Sequence, residues 1–135
     1  MDAAYLIKHL GLEPHPEGGW FKETWREESE GRASGTAIYF LLEEHQSSHW
    51  HRVDATEIWH YYAGSSLILD IHDGDALTSL RLGKDIAAGE APQGIVPARA
   101  WQRAKPVDGC VLVGCTVSPG FEFSGFELAE PNWSP

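Results

Sequence analysis

The most chemically suggestive spacing in the chain lies in His49-Trp50-His51-Arg52-Val53-Asp54-Ala55-Thr56-Glu57. In a strand, residues i and i+2 share a face, so His49 and His51 are expected on one side and Trp50 on the other. Glu57 follows after a turn and is expected to open the next strand. Two imidazoles and a carboxylate converging from adjacent strands would make a sensible divalent-metal site. The same groups suit proton transfer, because histidine and a tuned carboxylate both exchange protons near neutral pH. His60 falls out of phase with Glu57 and Trp59, on the opposite face. His9, His15, His45 and His72 show no ligand-like spacing and read as surface or packing residues. Asp73-Gly74-Asp75 resembles the start of a calcium loop but lacks the remaining ligands.

The elements that must position these groups read almost entirely as strands. Residues 3–10 form the exception: Leu6, Ile7 and Leu10 make a narrow apolar stripe and Gly11 is a natural stop, which predicts one short N-terminal helix. Residues 13–19 hold two prolines and two glycines and read as a turn-rich loop. Strands are expected over 20–26, 36–42, 49–51, 57–63, 66–71, 77–82, 94–96, 101–105, 110–117 and 121–128, with turn signals at Gly64, Gly74, Gly109 and Gly120. Many short strands with regular turns argue for a sandwich or barrel. Trp59, Tyr61 and Trp101 are candidates for the lining of its pocket.

Length and charge bound the rest. With 135 residues and no repeat, linker or low-complexity tract, one domain over 1–135 is expected. The formal net charge is −10, and the 10 Lys and Arg are scattered, so no nucleic acid or anionic membrane is expected as a partner. No run approaches the roughly 20 apolar residues of a membrane span, and the N-terminus lacks the basic and apolar regions of a signal peptide. Cys110 and Cys115, an odd five residues apart, should lie on opposite faces of one strand and stay reduced. Together these features predict a cytoplasmic protein.

His49, His51, Glu57 and Gly64 resemble the first cupin motif, with one extra residue between His51 and Glu57 and with Glu43 in place of its leading glycine. The second motif is a degraded match. Pro97 is present, Arg99 replaces the glycine, Gln102 stands where the histidine ligand belongs, and Pro106 replaces the asparagine. A more specific resemblance starts at Leu12-Glu13-Pro14-His15-Pro16-Glu17-Gly18-Gly19-Trp20. It continues through residues 36–42, His51-Arg52-Val53, Glu57-Ile58-Trp59-His60, Val96-Pro97 with Trp101, and residues 115–123, and closes at Phe126-Glu127-Leu128. It is similar to the fifth numbered cupin family, small cupins of unknown function.

The resemblance implies an all-β, double-stranded β-helix jelly roll (RmlC-like) with a short N-terminal helix, like that of deoxysugar-nucleotide epimerases and usually paired as a homodimer. Trp20–Trp25 and Phe121–Phe126 carry apolar surface for such pairing. Three functions are expected to compete. The first is an epimerase- or isomerase-like enzyme in which His51 is the base, Glu57 orients it, and Trp59, Tyr61, Trp101 and Gln102 line the pocket. The second is a metal-dependent isomerase or dioxygenase with His49, His51, Glu57 and Gln102 around a divalent metal ion. The third is a non-catalytic module holding a small metabolite. With one ligand position weakened to Gln102, no tightly bound cofactor is expected.

Overall fold

The computed structural model describes all 135 residues. Helix α1 (Ala3–Leu10) starts where the Asp2 carboxylate accepts the Tyr5 N–H at 3.3 Å. It ends at Gly11, whose left-handed backbone suits the residue without a side chain. Eleven strands follow: β1 (Glu13–Pro14), β2 (Trp20–Glu27), β3 (Gly35–Leu42), β4 (Ser48–Val53), β5 (Thr56–Gly64), β6 (Leu67–His72), β7 (Leu77–Leu82), β8 (Gln93–Val96), β9 (Trp101–Pro106), β10 (Val111–Ser118) and β11 (Phe126–Leu128). They form two antiparallel sheets, ordered β1-β2-β3-β10-β5-β8 and β11-β4-β9-β6-β7. This is the expected jelly roll with one short N-terminal helix.

The alternation of each strand divides the barrel along its length. Phe40 and Leu42 on β3, Trp59 on β5, Leu67 and Leu69 on β6, and Val111 and Val113 on β10 fill one end and are at most 1% exposed. Burying each such side chain contributes roughly 1.5–3 kcal/mol. Further along the same strands, Thr36 and Ile38, Glu57, and Cys115 and Val117 line a cavity instead. The interior is thus half core and half site, and both halves share the same strand faces.

Several local expectations are corrected. Glu13–Pro14 is a short strand paired with Phe21 and Trp20, not part of a loop. Within 121–128, only Phe126–Leu128 pairs, because Phe123–Gly125 turns as a short 3-10 helix. Cys110 precedes β10 and does not lie in it; both thiols are free. Asp73 closes the turn between β6 and β7 by accepting the N–H groups of Asp75 and Ala76.

Strand β4 holds the correction that matters for function. Ser48 pairs with Ala104 and His51 with Gln102, so three residues of β4 span two of β9. The extra residue is a bulge, which breaks the two-residue alternation. Ser48 and His51 both point inward, and His49 swings out to place Nε2 2.8 Å from the Glu130 carbonyl.

Candidate functional site

The cavity has a volume of about 320 Å³ and opens at one end of the barrel. Its chemistry starts in the segment between β1 and β2. His15 N–H donates to the Gly19 carbonyl and Gly18 N–H to the His15 carbonyl, closing a tight turn. Gly18 and Gly19 sit at φ +108° and +78°, and a Cβ on Gly18 would run into the Ser47 carbonyl. Only glycine allows this close approach. The turn is tied to the bulge of β4 by His49 N–H donating to the Glu17 carbonyl at 2.8 Å, and it delivers the Glu17 side chain into the barrel.

Glu17, His51 and Ser48 form one buried cluster. His51 is 1% exposed, and its Nδ1–H donates to the His49 carbonyl at 2.7 Å. That fixes the tautomer, so Nε2 faces Glu17 Oε2 at 3.3 Å. The Ser48 hydroxyl donates to the same Glu17 oxygen. Burial pushes the Glu17 carboxyl up to about 8 against the opposing pull of the Ser48 hydrogen bond. Burial lowers the His51 pKa, outweighing the attraction of Glu57. At neutral pH the pair therefore holds its proton on Glu17 facing a neutral imidazole.

Glu57 enters from β5. Its Oε1 accepts from Gln102 Nε2 at 2.9 Å, and the Gln102 carbonyl oxygen accepts from Trp59 Nε1 at 2.7 Å. The Cys115 thiol also hydrogen-bonds this carboxyl, which lines the cavity. Burial raises the Glu57 carboxyl to about 7, partly offset by His51 and Gln102 and reinforced by Glu17. The buried Cys115 thiol lies beside it and is pushed well above the ordinary cysteine range, first by burial and then by Glu57.

His15 completes the interior. Its Nδ1 accepts the Glu17 N–H at 3.1 Å, leaving Nε2 toward the cavity, and its side chain is 5% exposed. Burial, and second to it the neighbouring His51 with which it would have to share positive charge, lowers it to about 4. The aromatic wall is Phe21, Phe121, Phe123 and Phe126. At the rim, Arg26 donates to both oxygens of Glu23 at 2.9 and 3.0 Å and to the Phe121 carbonyl at 3.0 Å.

The expected site residues separate into three groups. His51 and Glu57 meet in the cavity. Gln102 and Trp59 lie behind it as a hydrogen-bonded support and do not line it. Tyr61 and Trp101 are elsewhere: the Tyr61 hydroxyl donates to the Gly64 carbonyl at 2.6 Å, and Trp101 sits on the outer surface against Trp133 and Arg52. Their alternate spacing was real, but β9 turns Trp101 outward and Gln102 inward. The groups missed were His15, Glu17, Cys115 and the Phe121–Phe126 segment. The available signal was Pro16-Glu17-Gly18-Gly19, a carboxylate immediately before two glycines.

The metal expectation fails a test of fit. His49 is turned to the outside, and Gln102 directs its NH2 donor, not its oxygen, at Glu57. No three His, Cys, Asp or Glu side chains are arranged to hold an ion. The set His49, His51, Glu57 and Gln102 therefore does not converge on one point.

Two antiparallel sheets rolled around a half-filled, acid-lined interior define a cupin. The chain belongs to the family described as Cupin superfamily (DUF985), whose model matches residues 4–129. It is similar to a crystal structure of a protein from Shewanella oneidensis, at 42% identity and TM-score 0.91 over 96% of this chain and 85% of that one. A hypothetical protein from Leishmania major matches at 33% identity and TM-score 0.86, over 96% of this chain and 88% of that one. An oxalate decarboxylase from B. subtilis matches at 12% identity and TM-score 0.68, over 86% of this chain and 29% of that one, which shows a shared fold alone. Comparison with curated proteins finds no match. No helix is long and apolar enough to cross a membrane.

Proposed function

We propose that this cupin is a small-molecule enzyme working by proton transfer, of the isomerase or epimerase type, with Glu57 as the base. The observation that carries the proposal is the Glu57 carboxyl in the lining of the cavity, anchored on Oε1 by Gln102 and raised by burial to about 7. A general base works best when its pKa lies near the operating pH. The expected roles of His51 and Glu57 are exchanged in this reading. Both His51 nitrogens are engaged by the protein, Nδ1 by the His49 carbonyl and Nε2 by Glu17. His51 and Glu17 act as a proton store, with Glu17 as the acid that returns a proton to the opposite side of the substrate.

The test is deuterium incorporation by NMR, with the protein incubated in D2O with a panel of small hydroxy- and amino-carbonyl compounds. Exchange is expected at the carbon next to the carbonyl, and Glu57→Gln should slow it at least about 100-fold, the usual share of a general base. Binding without exchange by any compound would replace the enzyme with a non-catalytic metabolite-binding module.

We further propose a homodimer in the cytoplasm. Support for pairing comes from one row across the outer face of the six-stranded sheet: Trp25, Ala37, Thr116, Ile58 and Ile95 are cross-strand neighbours in that order. Trp25 is 48% and Ile95 57% exposed, an apolar ridge suited to a second copy. A dimer mass by light scattering is expected, reduced to monomer by Ile95→Arg with Trp25→Arg. The free thiols support the reducing compartment.

A further inference from the structure

We infer that the ligand of this cavity is a small protonated amine that also carries a hydrogen-bond acceptor, and that the cavity rejects anions. The inference deepens the proposed function by naming the substrate class, and it rests on that reading only for turnover, not for binding.

The charge of the lining is the first reason. Glu17, Glu23, Glu57 and Glu122 line the cavity with one guanidinium, Arg26. Glu17 keeps its proton at neutral pH and Glu23 is paired with Arg26, which leaves Glu57 and, beside Arg32, Glu122 as the negative groups. The Arg26 guanidinium is spent on Glu23 and the Phe121 carbonyl. No lysine lines the cavity, and its two imidazoles are held neutral by burial. An incoming carboxylate or phosphate would meet no free cation and would lose its hydration without a partner. An ammonium would meet the Glu57 carboxyl, which the Gln102 amide and the Cys115 thiol hold in the cavity lining.

The second reason is the shape of the aromatic wall. Phe121, Phe123 and Phe126 meet as three mutually steep rings, with interplanar angles of 85°, 65° and 78° and centroids 4.9, 5.8 and 5.9 Å apart. Packed edge to face, the three rings make up one aromatic wall of the cavity. Ring faces attract cations, most strongly where water is excluded. Phe123 stands at the mouth, 58% exposed, where an entering cation would meet it first.

The third reason is the remaining donor. His15 accepts through Nδ1, so its neutral ring carries the proton on Nε2, aimed at the cavity without a protein acceptor. A ligand that satisfies both groups presents a donor to Glu57 and an acceptor to His15. A protonated amine beside a hydroxyl or carbonyl does both. Its arrival favours ionised Glu57, so binding should release a proton from Glu57 to solvent.

Two matched sets of probes test this by calorimetry: glucosamine, glucose and glucuronate, and cyclohexylamine, cyclohexanol and cyclohexanecarboxylate. The amine of at least one set is expected to bind at least tenfold more tightly than its neutral partner, with no measurable binding of either anion. Titrations in buffers of different ionisation heat should show proton release between pH 6 and 8. Glu57→Gln should abolish that amine preference. Phe123→Leu, a change at an exposed position that keeps the fold, should weaken the amine roughly threefold to tenfold, the size of one cation–π contact. Equal or tighter binding of an anion, an amine preference that survives Glu57→Gln, or no binding by any of the six would overturn the inference. Amine binding without deuterium exchange would instead sink only the enzymatic reading. Exchange on a neutral hydroxy-carbonyl compound with no amine preference would sink only this one.

Discussion

Gln102 shows how one side chain controls the chemistry of its neighbours. Its NH2 group donates to Glu57 and its oxygen accepts from Trp59. The donation to Glu57 holds that carboxyl down against burial. Gln102→Leu should therefore move the Glu57 titration further alkaline, readable by NMR of the carboxyl carbon. It should also destabilise the protein by about 1–3 kcal/mol, the cost of leaving the buried Trp59 N–H without an acceptor. Cys115 gives a second residue-level outcome. Buried and held as the thiol by Glu57, it should resist thiol reagents in the native protein, whereas the partly exposed Cys110 reacts. Titration in denaturant without reductant should then count two thiols. Reaction of Cys115 at the rate of an exposed thiol would contradict its burial in the barrel.

Two short elements, the β1–β2 turn and the bulged β4, decide which groups reach the interior. Gly18→Ala would force a side chain against the Ser47 carbonyl at a left-handed backbone position. The expected cost is about 1–3 kcal/mol, accompanied by loss of the Glu17 titration from the cavity. His49→Ala should behave in the opposite way. Its ring holds the Glu130 carbonyl outside the barrel, next to where Ala129 N–H donates to the Trp50 carbonyl. The variant should speed amide exchange over residues 129–133 and leave the Glu17 and Glu57 titrations in place. A shift of either titration would mean that His49 reaches the site after all.

For the molecule as a whole, the buried groups set how stability varies with pH. Glu17 and Glu57 titrate at about 8 and 7 when folded, above their ordinary 4.5. Between those limits the folded state holds more protons than the unfolded one, so each group makes stability fall as pH rises. His15, at about 4, and His51, also lowered, act with the opposite sign below 6.5. The two effects oppose each other from about 4.5 to 6.5, and the carboxyls stand alone above that. Stability measured by urea unfolding should fall from pH 6.5 to 8, with a slope of at most about 1.4 kcal/mol per pH unit per group. Glu17→Gln should flatten the upper part of that window. Stability that rises between pH 7 and 8 would mean that Glu17 is already ionised in the native state.

The alternation of apolar residues and the glycine-marked turns determined a sandwich or barrel of short strands, because a strand with one buried face allows only one register. The family resemblance of residues 12–20 and 115–123 narrowed it to a jelly roll. The spacing around His51 and Glu57 also located the barrel end where the cavity forms. Tertiary structure decided what that spacing meant. Alternation assumes an unbroken strand, and the β4 bulge removes His49 from the face of His51 by inserting one residue. Glu17 lies 34 positions before His51 in the chain and reaches it only because a hairpin folds over the barrel end. Trp101 and Gln102 are adjacent in sequence and equally plausible as lining, and the side of the sheet that each takes depends on pairing with β4 and β6. Proton affinities were beyond local pattern for the same reason. Burial raises Glu17 and Glu57 and lowers His15 and His51, and burial belongs to the closed barrel, not to any segment of the chain.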